Sequence, residues 1–123
     1  MKSILVVEDD ETTLRVLVLA LLGEKYLLAV ARDGLEAKEM LAEHEFDVMV
    51  SDIQMPNCDG YELIEWVSEK QPNCTIIPMT CPSSTERVEG MLDLTEKYSL
   101  QFALSKPLSK KLLLQSIKSA LLI

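Results

Sequence analysis

Four short apolar runs each end at a polar residue that could handle phosphate. Ile4-Leu5-Val6-Val7 stops at Glu8-Asp9-Asp10, and Val48-Met49-Val50 stops at Ser51-Asp52. Ile76-Ile77 leads through Pro78-Met79 to Thr80, and Phe102-Ala103-Leu104 leads through Ser105 to Lys106-Pro107. If the runs are parallel strands, carboxylates, a hydroxyl and an ammonium gather at one edge of one sheet, where open α/β folds bind ligands. Three carboxylates brought that close repel, at about 4 kcal/mol for each close pair at an effective dielectric near 20. A hard divalent cation with oxygen ligands, such as Mg²⁺, removes the conflict. A simpler use of Glu8, Asp9 and Asp10 is to cap the following helix and favour its dipole.

Asp52 is the candidate nucleophile, because a carboxylate can take a phosphoryl group as an acyl phosphate. Phosphoryl transfer asks mainly for positioning and charge neutralisation. A cation would supply one positive clamp and Lys106 the other, and Thr80 could donate its hydroxyl to a phosphoryl oxygen. Taken singly, Thr80 is an ordinary strand residue and Lys106 an ordinary surface lysine.

The elements that must position these groups follow from the pattern. Strands are predicted at residues 3–7, 26–31, 47–51, 74–79 and 100–104. Helices are predicted at residues 11–22, ending at Gly23, at 35–43 after the Asp33-Gly34 turn, and at 61–70, ended by Pro72. A further helix is expected from a Pro82-Ser83-Ser84 cap to about Lys97, with Val88, Met91, Leu92 and Thr95 inward. A last helix is capped by Ser109, with Leu113, Ile117, Ala120 and Leu121 as its buried stripe. Residues 52–59 read as a loop. Strict β-α alternation implies a parallel sheet, right-handed crossovers and helices on both faces.

Bulk properties bound the reading. The 123 residues fit one domain, taken as residues 1–123, and a 48% hydrophobic content fits a folded globule. Twenty acidic against twelve basic side chains, a formal charge of -8, argue against direct binding to nucleic acid or an anionic membrane. Cys58, Cys74 and Cys81 have no zinc-type spacing and read as reduced thiols. With no signal peptide or spanning run in view, the expected location is the cytoplasm.

These residues resemble the receiver domain of bacterial response regulators. The resemblance rests on Val6-Val7-Glu8-Asp9-Asp10, on residues 51–62 with Asp52, Met55-Pro56 and Asp59-Gly60, on Thr80 and on Lys106-Pro107, and it covers the whole chain in order. It implies a flavodoxin-like, doubly wound (βα)5 fold with sheet order 2-1-3-4-5. Asp52 would accept phosphate from a phosphohistidine of a sensor histidine kinase or histidine phosphotransfer protein. Asp9 and Asp52 would ligate Mg²⁺ directly, Glu8 through water, and Gln54 through its backbone carbonyl. Thr80 and Lys106 would hold the phosphoryl oxygens, and the Lys106-Pro107 bond is often cis in the family. The implied output is a switch acting through protein contacts, with chemistry limited to self-phosphorylation and its loss to water rather than enzymatic turnover.

Three positions depart from that pattern. Ala103 stands where most receivers carry the switch aromatic, and Phe102, its neighbour, points to the opposite face of a strand. The stretch from Thr80 to Lys106 is several residues longer than usual, with Lys97-Tyr98-Ser99 in place of the common Gly-Ala pair. Pro82 occupies a position that affects dephosphorylation in relatives. Two other readings stay open. One is a degenerate receiver that binds partners without phosphate. The other is a phosphohydrolase of the haloacid-dehalogenase type, which needs an acid two residues after its nucleophile, where Gln54 stands here. The apolar surplus of the first helix, at Val16, Leu19 and Leu22, suggests a downstream partner or a homodimer contact, with burial under a loop as the plain alternative.

Overall fold

A computed structural model describes residues 1–53, 60–80, 93, 95–98 and 100–122. The strands are β1 (Lys2–Val7), β2 (Tyr26–Ala31), β3 (Val48–Asp52), β4 (Thr75–Thr80) and β5 (Leu104–Ser105). The helices with defined bounds are α1 (Glu11–Leu22), α2 (Gly34–Glu43), α3 (Gly60–Lys70) and, last in the chain, α4 (Lys110–Ala120). Asp93 and residues 95–97 are also helical, and Thr95 is half-buried. The expected Pro82-Ser83-Ser84 cap, with Val88, Met91 and Leu92, lies outside the described residues.

All five strands run parallel in the order β2-β1-β3-β4-β5. The period-two alternation of side chains sends each strand's residues to two separate cores. Leu5, Val7, Met49 and Ile76 pack with Leu41 of α2 and with Leu63, Ile64 and Val67 of α3. Ile4, Val6, Val50 and Ile77 pack with Leu14, Leu17 and Leu21 of α1 and with Leu113 and Ile117 of α4. β3, at the centre, is buried along its whole length, as its unbroken apolar run requires.

Helix starts follow their caps. Asp10 accepts from the Thr13 N–H at 2.9 Å, Asp33 from the Glu36 N–H at 2.8 Å and Ser109 from the Leu112 N–H at 3.3 Å. Gly23 closes α1 in right-handed helical geometry, its N–H bonded to the Leu21 carbonyl, so its role needs no left-handed turn. Trp66 is half-buried against the α2–α3 core. Val16, Leu19 and Leu22 are 42%, 70% and 64% exposed, so no neighbouring loop among the described residues buries the outer face of α1.

The expected strand at residues 100–104 is corrected to Leu104–Ser105, paired with Met79 and Thr80. The reason lies in β4. Thr75 donates to the Asp47 carbonyl and Met79 accepts from Ile53, so the backbone groups of residues 75, 77 and 79 face β3. Lys106 donates to the Thr80 carbonyl at 2.8 Å, so residues 76, 78 and 80 face β5. The next two pairings, Ile77 with Phe102 and Pro78 with Ala103, would each need an N–H from residue 78. Proline has none, and the ladder stops there. Phe102 packs toward the α1–α4 core and Ala103 is exposed, so the two do lie on opposite sides of the chain.

Candidate functional site

The carboxyl edge of the sheet carries every strand-end group singled out above that lies within the described residues. Glu8 leaves β1 fully buried, Asp52 ends β3 at 8% exposure, Thr80 ends β4 at 8%, and Lys106 follows β5. The Lys106 ammonium lies 3.0 Å from both carboxylate oxygens of Glu8 and 3.1 Å from Asp52 Oδ2. Glu8 Oε1 also accepts the Asp10 N–H at 3.2 Å. The Lys106-Pro107 peptide is cis.

Two largely buried carboxylates share this one ammonium. Burial, with the Asp52 charge adding to it, pushes the Glu8 carboxyl up to about 7 against the pull of Lys106. Burial by itself would lower the Lys106 pKa, but its hydrogen bond to Glu8 and the charges of Asp52 and Glu8 hold it above the ordinary lysine value.

The acidic run divides its labour. Asp10 is a cap: its bonds to the Thr13 hydroxyl and N–H hold its carboxyl below the usual range. Glu11 pairs with Arg32 at 2.6 Å. Glu8 and exposed Asp9 are left to the site, where Glu8, Asp9 and Asp52 each offer an oxygen within 4.8 Å of one another. That donor set, all hard carboxylate oxygens, fits a divalent cation such as Mg²⁺. Gln54, the remaining expected ligand, lies outside the described residues.

Thr80 Oγ1 is buried and has no hydrogen-bond partner among the described residues. A buried hydroxyl without a partner costs free energy unless something completes it. Tetrahedral oxyanion oxygens suit both this donor and the Lys106 ammonium.

Two structural contributions were not legible as such in the sequence. The Ser51 hydroxyl bonds the Asp52 carbonyl at 2.9 Å. Gly60 donates its N–H to the Ile53 carbonyl at 3.0 Å, which brings the start of α3 against the end of β3. Gly60 is visible as a motif glycine, but its contact depends on the crossover.

The family model described as Response regulator receiver domain matches residues 4–118. The chain belongs to that family. Among the relatives of this receiver, the transcriptional regulatory protein GlrR of Escherichia coli (strain K12) is 31% identical over 118 residues, which are 96% of this chain and 26% of that protein. The receiver thus spans about a quarter of that regulator's length. The polar-differentiation response regulator DivK of Brucella ovis is 28% identical over 120 residues, 98% of this chain and 96% of that one. The signal receiver domain of an HD domain-containing protein from Pseudomonas fluorescens Pf-5 superposes with a TM-score of 0.89 at 28% identity, covering 98% of this chain and 86% of that one. No helix among the described residues of the receiver is long and apolar enough to cross a membrane.

Proposed function

We propose that this receiver is a phosphorylation-dependent switch of two-component signalling. Asp52 takes a phosphoryl group from a phosphohistidine of a sensor histidine kinase or histidine phosphotransfer protein. An Asp52 carboxylate oxygen bonds to phosphorus as the phosphorus–nitrogen bond breaks. The bond electrons stay on the ring nitrogen, and imidazole leaves neutral if its other nitrogen carries the proton. The observation that carries this reading is the Lys106 ammonium held 3.0 Å from Glu8 and 3.1 Å from Asp52. It gives the incoming anion a fixed positive partner beside the acceptor.

Asp9 and Asp52 would hold Mg²⁺ directly, Glu8 through water and Gln54 by its carbonyl. The ion supplies further neutralisation of the phosphoryl oxygens. Thr80 donates its buried hydroxyl to one of those oxygens, and Lys106 exchanges part of its carboxylate contact for another. Burial of Asp52 keeps bulk water back. The signal leaves through protein contacts, and the receiver works in the cytoplasm.

Incubation with acetyl phosphate and Mg²⁺, read by intact mass, tests this. The expected result is a gain of one phosphoryl group on the native chain and none on Asp52→Ala. A chain that stays unmodified overturns the reading in favour of a phosphate-independent binding module. Sustained turnover of a phosphomonoester would instead point to a phosphohydrolase.

A further inference from the structure

We propose that β2 is the interface for a second copy of this chain, which pairs with it antiparallel about Leu28 and joins two sheets into one. β2 is an edge strand, paired with β1 alone. Its Ala31 carbonyl accepts the Glu8 N–H, so the backbone groups of residues 27, 29 and 31 face β1. By alternation those of Tyr26, Leu28 and Val30 face outward, where no strand lies among the described residues. Proteins usually guard such an edge with a charge, a proline or a very short strand. β5, the opposite edge, has two residues and runs straight into Lys106-Pro107. β2 has six, Tyr26–Ala31, and none of those guards.

The space beside this edge is apolar. A groove of about 450 Å³ lies between α1 and β2, lined by Leu14, Val18 and Leu19 from the helix and Val30 from the strand. A strand added beside β2 sends alternate side chains to that face. Leu19, exposed in the single chain, gains cover there.

Register makes a second copy the occupant. The outward residues are spaced evenly about Leu28, so the edge is self-complementary. With Leu28 opposite Leu28, Tyr26 stands opposite the partner's Val30, and each such pair exchanges both N–H to carbonyl bonds. Every outward donor and acceptor of the two strands is then used. On the other face Leu27, 55% exposed in the single chain, lies opposite the partner's Ala29. Continued two residues past the ladder, the register brings Glu24 opposite the partner's Arg32, at both ends by symmetry. Arg32 already holds Glu11 at 2.6 Å, but its guanidinium has further donors to offer. Pairing about Ala29 fits less well. Tyr26 would then meet Arg32, whose N–H is held by the Glu36 carboxylate at 3.2 Å.

A two-fold axis closes the assembly at two copies, because each β2 edge is consumed. Asp52, Thr80 and Lys106 lie beyond β1 from this edge, so the pairing uses none of them. It should form without Mg²⁺ or a phosphodonor, and it stands or falls separately from the phosphorylation of Asp52.

Sedimentation velocity up to millimolar concentration, combined with amide hydrogen exchange resolved by residue, tests the interface. The expected result is a reversible dimer in which the Tyr26, Leu28 and Val30 amides exchange about tenfold more slowly than in the dilute chain, the scale of one net hydrogen bond. Leu27 and Ala29, whose amides face β1, serve as the internal control. Leu28→Lys sets like charges directly opposite each other and should raise the dimer Kd at least tenfold, with Trp66 fluorescence reporting that the variant is folded. Glu24→Arg should raise it several-fold, and adding Arg32→Glu should restore it. A chain that stays monomeric at millimolar concentration overturns the proposal. So does a dimer whose Tyr26, Leu28 and Val30 amides exchange as in the dilute chain, since another face then carries the contact. An unchanged Kd in folded Leu28→Lys overturns it as well. If that variant does not fold, an unchanged Kd in Glu24→Arg, a surface substitution, overturns it equally.

Discussion

Gly60 sits so close to Ile53 that a Cβ placed on it would lie 2.2 Å from the Ile53 Cα and 2.8 Å from the Asp52 carbonyl oxygen. Both neighbours are backbone and cannot swing aside, so any side chain at this position must push α3 away from the end of β3. Gly60→Ala is expected to cost about 3 kcal/mol of stability, at the upper end of overpacking substitutions. A urea titration followed by Trp66 fluorescence measures it. An unchanged midpoint would mean that this contact relaxes freely.

Glu8 makes stability depend on pH with a definite sign. Its folded pKa, about 7, stands above the ordinary 4.5, so between those values the folded chain holds a proton that the unfolded chain has lost. Stability of the metal-free protein therefore falls as pH rises through that window. Glu8→Gln should remove that part of the slope and stabilise the metal-free protein at pH 8 by about 1–3 kcal/mol, with the advantage fading toward pH 4.5. The same variant should weaken Mg²⁺ binding. Urea midpoints at several pH values, with and without Mg²⁺, check both effects.

Thr80 carries a buried hydroxyl that has no hydrogen-bond partner among the described residues. Thr80→Val keeps the shape and removes the unpartnered group, so stability is expected to hold or rise slightly. The rate of labelling by acetyl phosphate should drop by roughly 100-fold if the hydroxyl serves the transferring group. Equal rates in the two proteins would remove Thr80 from the site.

Cys74 is buried, and burial followed by the Asp47 charge pushes its thiol up to about 12. It should therefore be inert toward disulfide reagents at pH 8. In a Cys58→Ser, Cys81→Ser background, one thiol should appear only on unfolding in urea. Prompt reaction under native conditions would contradict the burial.

The order of elements, the parallel sheet and the placement of Glu8, Asp9, Asp52, Thr80 and Lys106 at its carboxyl edge were legible in the sequence, because each is a local pattern. An apolar run ending in a polar residue names both a strand and its carboxyl edge, and Asp33 and Ser109 announce their helices by chemistry that acts within three residues. Other properties depend on groups distant in the chain. Asp10 and Glu8 are both acids after β1, and only the fold sends one to Thr13 and the other to Lys106. The raised pKa of Glu8 exists because the fold buries it and brings the Asp52 charge beside it, which together outweigh the opposing pull of Lys106. The length of β5 escapes the sequence for the same reason: residues 100–104 have strand character, but a ladder needs a donor on the neighbouring strand, and Pro78 of β4 provides none. Side-chain pattern is a property of one segment, whereas hydrogen bonding and desolvation are properties of the pair that meets.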